Sequence, residues 1–583
     1  MPITTGLELK KIKIDYLKYK LIMRKIITNF LVCLAVCFTL FCNNTIDAQN
    51  TPQEKASTKK KYPFDMPEVQ LPKFKTDTLN IVDFGAVPNS KILCTKAINA
   101  AISKCSESGG GVVVIPSGMW ASGPIHMKSN VNLNTESGAY ILFTSDLNQY
   151  QLIHSYFEGS KVIRCESPIM GTDLENIAIT GEGIFDGNGS KWRPVKIGKM
   201  SAPQWKDLIS SGGVLSKDGK TWYPSEGSFI GHEEKEKLPK ILTVENMKPY
   251  KQALRPVMVS LVNCKKVLLD GVTFQNSPAW NVNPLMCENL TISNLTIRNP
   301  WYAQNGDGLD IESCRIGTVS NCKFDVGDDA ICIKSGKDQE GRERGKPTEL
   351  FVITNCVVYH AHGGFVIGSE MSGGVRNVLA KNLTFIGTDC GLRFKSVRGR
   401  GGVVENIWME DIRMSDIPTD AINFNLYYFV KGAVEDPITG EMIVQKETVS
   451  ETTPAFKNMY FKNIYVDGAQ QALKIMGIPE MPVQNIQFQN MIIRSEVGIQ
   501  MNYTANIDFD NVDLKLDKPG ISARFFNSQN IDFKEFNSEG ENQLFLVGGN
   551  LTKDVTLNMK HRKLYSKDIK VLESIKNQVK IIE

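Results

Sequence analysis

The chain has 583 residues, of which 42% are hydrophobic and 22% charged, the balance of an ordinary globular protein. This length excludes a small disulfide-stapled scaffold but allows several domains or one long repeat fold. The formal charge of +4 equals the positive surplus within residues 1–50. The remaining chain is close to neutral, which argues against a general nucleic-acid binder.

Residues 1–49 predict a start extension followed by a secretory signal peptide. A short basic segment ending at Lys25 precedes an apolar run from Ile26 to Cys42. The run is shorter than the ~20 residues that a membrane span needs, which favours export to the periplasm or the extracellular space over a stable span. Residues 50–76 are polar and contain proline, and they are predicted to form a linker.

A short amphipathic helix is predicted at residues 95–102, before a strand at Val112–Ile115. Strand repeats further along the chain predict a solenoid, whose first coil needs a cover. An open end would expose apolar core and unpaired strand to water. We therefore expect this helix to cap the N-terminal end of the domain.

From Val267 onward, a short sequence pattern recurs in which two apolar strand segments flank a turn residue. The turn residues of six successive repeats are 23 to 34 residues apart, and no helical period intervenes. Repeats of this length made only of strands predict an all-β fold, a right-handed parallel β-helix, rather than a propeller or a sandwich. We expect it to span 77–540, before a C-terminal tail at 541–583. The turn residues are Gly271, Asn294, Asn321, Asn355, Asn382 and Asp411.

The alternation of apolar residues in four successive coils separates the core from the surface. When the coils are aligned on the serine that follows each strand, the positions two and four residues earlier are apolar in every coil. These columns are predicted to point inward and to stack about 4.8 Å apart. The intervening columns, which include Arg393 and Lys395, are predicted to point outward. The inward residues are Leu309, Ile311, Ile331, Ile333, Phe365, Ile367, Leu392 and Phe394.

Acidic residues align at the corner that enters these strands. On this register Asp307 lies over Asp329, and Asp328 lies over His362. One interpretation is a set of solvated turn residues, because Asp and Gly are common in corners. However, stacked carboxylates raise one another's pKa, and nothing in the fold requires three of them there. The cluster of acids, imidazole and two outward cations therefore favours a functional site.

The residue types in this patch suit cleavage of a glycosidic bond in an acidic sugar. Such cleavage needs one protonated carboxyl to protonate the leaving oxygen and a second carboxylate to activate water. A stacked group of aspartates can hold a shared proton for that purpose. Neighbouring Arg and Lys side chains suit a substrate that is itself a carboxylate.

Four ordered motifs make the chain resemble glycoside hydrolase family 28, the polygalacturonases and their relatives. The resemblance covers roughly residues 78–540. Three motif positions depart from the usual pattern: Gly306 replaces threonine, Ala361 replaces glycine, and the inward-facing Phe394 replaces isoleucine. The motifs are Asn305-Gly306-Asp307, Gly327-Asp328-Asp329, His362-Gly363 and Arg393-Phe394-Lys395.

The resemblance implies hydrolysis of α-1,4-linked galacturonic acid in pectin, with inversion and without a metal or another cofactor. Asp328 would be the general acid, and Asp307 and Asp329 would hold and activate the water. His362 would tune Asp328. The implied partner is a pectic poly- or oligosaccharide.

The resemblance also implies that Arg393 and Lys395 bind the galacturonate carboxylate, and Asn305 is grouped with them as a substrate-binding residue. Trp280 lies one coil earlier and would either stack on a sugar or pack in a corner. Residues 187–255 interrupt the repeats and predict a large loop insertion. A bulky loop that closes one end of the groove would favour release of terminal sugars, so we expect exo action.

Several alternatives remain open at this point. The chain could instead be an endo-polygalacturonase or a rhamnogalacturonan-directed hydrolase. A pectate lyase would share the β-helix but needs a calcium-binding acid cluster. A non-catalytic carbohydrate-binding β-helix belongs to a different class, and substitution of Asp328 by asparagine would separate it from an enzyme.

Overall fold

The computed structural model describes residues 62–89, 91–428, 434–561 and 563–582. The predicted start extension and signal peptide, and the predicted linker as far as Lys61, lie outside the described residues. Among the described helices, none has both the length and the apolar character needed to cross a bilayer.

The predicted parallel β-helix is confirmed, because 32 of the described strands form one continuous sheet. The N-terminal strands are β1 Thr78–Asn80, β2 Gly111–Ile115, β3 Gly118–Ser122, β4 Ile125–His126, β5 Val131–Thr135, β6 Ala139–Phe143, β7 Leu152–Phe157, β8 Ser160–Cys165, β9 Ile169–Thr172, β10 Glu175–Gly181 and β11 Ile184–Asp186. All of them except the hairpin β7–β8 belong to this sheet.

The predicted cap is a longer helix than expected, α1 at Thr95–Glu107. Its buried face consists of small and β-branched residues that pack on the first coils. The helix therefore covers the end of the core, as the sequence predicts. The buried residues are Ala97, Ile98, Ala101, Ile102 and Cys105.

Three strands form each central coil, and equivalent strands of successive coils pair in parallel. The central strands are β15 Val259–Val262, β16 Lys265–Asp270, β17 Thr273–Gln275, β18 Val282–Leu285, β19 Glu288–Ser293, β20 Thr296–Arg298, β21 Leu309–Glu312, β22 Arg315–Ser320, β23 Lys323–Asp325, β24 Ile331–Lys334, β25 Thr348–Thr354, β26 Val357–Gly368 and β27 Val375–Lys395. We call the face built by β15, β18, β21, β24 and the ends of β26 and β27 the site face.

The predicted register of the site face is confirmed. Leu309 pairs with Ile331, Ile331 with Phe365, and Phe365 with Leu392. All eight predicted inward residues are fully buried. Each such side chain contributes about 1.5–3 kcal/mol of burial, so the stacked columns fix which residues point outward.

The turn residues that mark the repeats form a ladder of asparagines. Asn294, Asn321, Asn355 and Asn382 all adopt left-handed φ angles between 53° and 59°, which asparagine tolerates better than other residues with a side chain. The side-chain amides of Asn321, Asn355 and Asn382 each donate to the side-chain carbonyl of the asparagine one coil earlier, at 3.3, 3.3 and 2.8 Å. The recurring asparagine is therefore a backbone requirement of the coil.

An insertion lies between Asp186 and Val259 and forms a small structure of its own. It contains α2 at Ala202–Ser210, α3 at Glu226–Glu233 and a three-stranded antiparallel sheet. Val195, Trp205 and Trp222 form its apolar cluster, against which Tyr302 of the β-helix packs. The sheet strands are β12 Val195–Lys196, β13 Val214–Leu215 and β14 Thr221–Tyr223.

The C-terminal coils differ from the expected tail, because strands continue to Ile581. The strands after Gly540 pair in parallel with earlier coils. The last two have three residues each, too few to show alternation in the sequence. The helix α4 spans Asp338–Arg344, and the remaining strands are β28 Val403–Asn425, β29 Val434–Glu435, β30 Met442–Ile443, β31 Ala455–Met476, β32 Val483–Asn502, β33 Thr504–Leu516, β34 Ile521–Phe526, β35 Gln529–Glu539, β36 Gln543–Gly548, β37 Lys553–Met559, β38 Ile569–Val571 and β39 Val579–Ile581.

The described part of the predicted linker packs on the β-helix. The Phe64 ring lies 5.5 Å from the Trp408 ring, and the Gln70 amide donates to Asn289 Oδ1 at 3.0 Å. Pro72 is buried. From Tyr62 onward, the segment therefore differs from the expected free tether, because its few apolar residues find surface on the coils.

Candidate active site

The three predicted aspartates meet at the corner that enters the site face. The backbone of Gly308 donates to the Asp329 carbonyl at 2.9 Å, and the backbone of His362 donates to the Asp328 carbonyl at 3.0 Å. These bonds place successive coils in the register deduced from the sequence. Each of the three aspartates has a carboxylate oxygen within 4.8 Å of one from the others.

Asp307 is the aspartate whose charge the site tolerates least. Its side chain is 5% exposed, and one carboxylate oxygen has no hydrogen-bond partner among the described residues. Burial and the neighbouring carboxylates of Asp310 and Asp328 raise its pKa well above the usual range. Burial and these charges therefore favour the neutral form of Asp307.

Asp328 is the most exposed of the three, at 23%, and is paired with His362. His362 Nδ1 lies 3.2 Å from Asp328 Oδ1. Burial would raise the pKa of Asp328, but the hydrogen bond and the charge of His362 lower it to about 2. The same hydrogen bond raises the pKa of His362, so the pair is ionic in mildly acidic solution.

Asp329 lies between the two predicted cations. Lys395 Nζ is 2.6 Å from Asp329 Oδ2, and Arg393 Nη1 is 3.8 Å from Asp329 Oδ1. The Lys395 side chain is 8% exposed, whereas Arg393 is 28% exposed and lines a groove. The structure thus commits the Lys395 ammonium to Asp329 and leaves Arg393 the cation placed to reach a ligand.

A second buried charge network adjoins the acids and was not singled out by the sequence. Lys334 Nζ lies 3.0 Å from Glu370, 3.5 Å from Asp310 and 4.0 Å from Asp307. Burial and neighbouring charges raise the pKa of Asp310 to about 8. Lys334 and Asp310 belong to the outward columns, but they are buried because other segments cover them. Their position in the outward columns is the sequence signal that could have identified them.

Those covering segments are a hairpin and a helical loop that meet over the site face. The Lys161 amide in β8 donates to the Glu340 carboxylate of α4 at 2.9 Å. Arg344, also in α4, donates to the Gly159 carbonyl at 3.0 Å and pairs with Glu312 at 2.6 Å. We call the hairpin β7–β8 and the α4 loop together the roof.

Trp280 lies beneath the roof and does not present a face for sugar stacking in this structure. Its ring centroid is 4.6 Å from that of Phe157, and Lys334 Nζ lies 4.5 Å from the centre of the same ring. The side chain is 2% exposed. Trp280 therefore packs in a corner, and its ring leaves no open surface for the predicted contact with substrate.

Asn305 is held by a buried arginine at the end of the insertion. Arg255 Nη2 donates to Asn305 Oδ1 at 2.9 Å, and Nη1 donates to the carbonyls of Pro278 and Gln304, each at 2.9 Å. Asn305 has a φ of 51°, which asparagine accommodates. Its side chain therefore fixes the turn that carries Asp307.

An open groove leads from the acids along the later coils. It has a volume of about 630 Å³, and His362, Arg393, Asn423, Gln471 and Lys474 contribute to its lining. Most of these groups are polar or charged, which suits a hydrophilic chain. The groove extends along the later coils, while the hairpin β7–β8 of the roof covers the site face at Trp280, on an earlier coil.

The fold and this arrangement define a β-helix with an acid cluster and a cation-lined groove, as in enzymes that cut acidic polysaccharides. A sequence profile described as "Glycosyl hydrolases family 28" matches residues 199–507. The chain therefore belongs to glycoside hydrolase family 28 and is a glycoside hydrolase.

The chain is similar to named members of this family. It is 26% identical to a probable polygalacturonase of Vitis vinifera over 72% of this chain and 74% of the relative. It is 25% identical to an exo-poly-alpha-D-galacturonosidase of Dickeya chrysanthemi, over 77% and 73%. The crystal structure of a hyperthermoactive exopolygalacturonase from Thermotoga maritima superposes with a TM-score of 0.64 at 30% identity, covering 76% of this chain and 93% of that one.

Proposed function

We propose that this protein hydrolyses α-1,4-glycosidic bonds of galacturonic acid in a pectic chain, with inversion and from one chain end. The observation that carries the proposal is the meeting of three aspartates beside an accessible arginine. Acid groups can supply and accept protons there, while Arg393 pairs with a galacturonate carboxylate.

Asp328 is proposed as the general acid because it is the aspartate that a substrate can touch. Its proton has to come from the shared cluster, since His362 keeps it ionised in the empty site. The nearest candidate donor is Asp307, whose pKa is raised by burial and by neighbouring carboxylates, and the protons of such a cluster belong to the group as a whole. Transfer to Asp328 leaves Asp307 and Asp329 to hold and activate water.

Inversion is proposed on the accessibility of these aspartates. Their oxygens lie within 4.8 Å of one another, nearer to the ~5 Å typical of retaining enzymes than to the ~6.5–9.5 Å typical of inverting ones. However, a retaining nucleophile must reach the anomeric carbon directly. Asp307 and Asp329 are 5% and 2% exposed, so water is the group they can deliver.

Exo action is supported by the unequal ends of the groove. The hairpin β7–β8 and the insertion lie on the coils before Asp328, whereas the groove runs along the coils after His362. A chain end would stop against the covered side, and the rest of the polymer would leave by the open side. The likeness to two relatives named as exo enzymes points the same way.

Product analysis on oligogalacturonides of defined length tests these points together. We expect one product size from the first turnover and, by NMR, the β anomer as the first product. The reaction should proceed equally with EDTA. A ladder of sizes would show endo action, and an α anomer would show retention. An unsaturated, calcium-dependent product would show a lyase. If the protein cleaved only rhamnogalacturonan, the substrate would be rhamnogalacturonan and not a chain of galacturonic acid.

We also propose that the protein is exported, on the basic and apolar pattern of residues 1–49. N-terminal sequencing of the protein recovered outside the cytoplasm should begin close to residue 49. An intact first segment in the cytoplasmic fraction would contradict export.

A further inference from the structure

A second polar cleft lies beside the turns that lead into the active site. It has a volume of about 670 Å³, and its walls include Gln275, Arg298, Trp301, Asp325 and His360. Gln275, Arg298 and Asp325 end the strands β17, β20 and β23, before those turns begin. The catalytic aspartates follow the turns. We call this the lateral cleft.

Trp301 gives the lateral cleft an exposed aromatic surface. Its side chain is 54% exposed, which is unusual for the largest apolar side chain. The ring of Tyr302 meets it edge-on with centroids 6.2 Å apart, and Lys199 Nζ of the insertion lies 5.5 Å from its centre. Since Tyr302 packs on the insertion's cluster of Val195, Trp205 and Trp222, the insertion holds Trp301 in place.

Arg298 gives the same cleft an uncommitted positive charge. The side chain is exposed, and its guanidinium has no acceptor or ion-pair partner among the described residues. The acids nearby are already engaged. Asp325 lies 3.4 Å from His360 Nδ1, and Asp186 accepts from Tyr140 and Gln275 at 2.9 and 2.8 Å. A guanidinium without a partner is suited to bind a carboxylate in two-pronged fashion.

A rigid turn separates the lateral cleft from the catalytic groove. Asn299 Oδ1 accepts from the Ser277 backbone at 2.8 Å, and its Nδ2 donates to the Gly306 carbonyl at 3.0 Å. The second bond ties the two ends of the turn together, and the first anchors the turn to the previous coil. Trp301 thus lies on the cleft side of a turn whose far end carries Asn305 and Asp307.

We propose that the lateral cleft is a second binding site for a uronic-acid residue of the pectic chain, outside the catalytic groove. The sugar ring would stack on Trp301 while its carboxylate pairs with Arg298. Such a site would hold the polymer near the active site without taking part in cleavage. The inference takes its ligand class from the proposed function.

Calorimetric titration with tetragalacturonate tests the lateral cleft directly. In an Asp328→Asn background, which prevents turnover, we expect two sites per chain. Adding Arg298→Gln or Trp301→Ala should remove the second site or weaken it about tenfold, the effect of losing one charged contact. Tyr465→Ala, another exposed aromatic on a later coil, serves as the matched control and should leave both sites intact.

Turnover separates failure of this inference from failure of the proposed function. With Asp328 restored, Arg298→Gln should leave digalacturonate hydrolysis unchanged and raise KM for the polymer. If calorimetry finds a single site and Arg298→Gln does not alter it, the inference about the lateral cleft is wrong, while the proposed function stands. An equal loss on digalacturonate and polymer also overturns it, because the cleft would then belong to the catalytic groove. If calorimetry finds two binding sites but the protein with Asp328 restored hydrolyses nothing, the proposed function alone is wrong.

Discussion

The charged residues on the site coils and those on the later coils lie in opposite environments. On the site coils, Lys334 and Asp310 are buried and lie 3.5 Å apart. On the later coils, Arg494 pairs with Asp467 at 2.7 Å in open solvent, and Lys518 pairs with Glu496 at 2.6 Å. Exposed pairs contribute little to stability, whereas buried ones are costly to break.

This difference separates the coils that provide the regular frame from the coils that carry the site. The later coils repeat one regular cross-section, with stacked phenylalanines such as Phe488, Phe509 and Phe533 at centroid spacings of 4.9 and 4.5 Å. The site coils carry the same inward columns but add a roof, an insertion and a buried ionic layer. Regular coils therefore provide the frame, and the added segments create the low-dielectric surroundings in which carboxyl pKa values shift.

The largest expected effect is the loss of catalysis on substitution of Asp328. Asp328→Asn removes the group proposed to protonate the leaving oxygen, so kcat should fall about 10²–10⁴-fold with little change in substrate binding. Steady-state rates and calorimetry on oligogalacturonides measure the two quantities. Asp467→Asn, the matched change on a later coil, should retain full activity. Equal rates for Asp328→Asn and wild type would eliminate the acid assignment.

The second effect concerns stability and the buried lysine. Lys334→Met leaves the largely buried carboxylate of Glu370, whose pKa Lys334 and the neighbouring cations lower to about 2, without its ion-pair partner, so the free energy of unfolding should fall by about 3–5 kcal/mol. Urea denaturation measures it at neutral pH. Lys518→Met removes an exposed cation from a later coil and should leave the midpoint unchanged. Similar losses in the two variants would contradict the contrast between the two regions.

The sequence predicts the frame of this protein better than its site. Alternation placed Leu309 and its stacked partners correctly, because each inward position repeats in every coil. It could not place Trp280, whose burial depends on Phe157 in a hairpin more than a hundred residues earlier. Likewise, Asp310 was recognisable as outward-facing, but its raised pKa depends on its burial beside Asp329 and Glu370. Long-range covers of this kind leave no periodic signal.

The smallest effect tests the ionic pair at the mouth of the groove. The raised pKa of His362 stabilises the fold below its unfolded value of 6.5, and that contribution disappears as pH rises through the folded pKa. The lowered pKa of Asp328 contributes above its unfolded value of 3.8 and is lost as pH falls toward about 2. The pair therefore stabilises the protein most between pH 3.8 and 6.5.

His362→Gln should lower the free energy of unfolding in that window by about 1 kcal/mol, a value reduced by solvent screening because the imidazole is partly exposed. Above the folded pKa of His362 and near pH 2, the variant and wild type should converge. Urea midpoints across pH measure the difference, with His360→Gln, two residues earlier and exposed, as the control. A pH-independent difference in stability would mean that His362 stabilises the corner by packing. It would contradict the proposed electrostatic effect of His362 on Asp328.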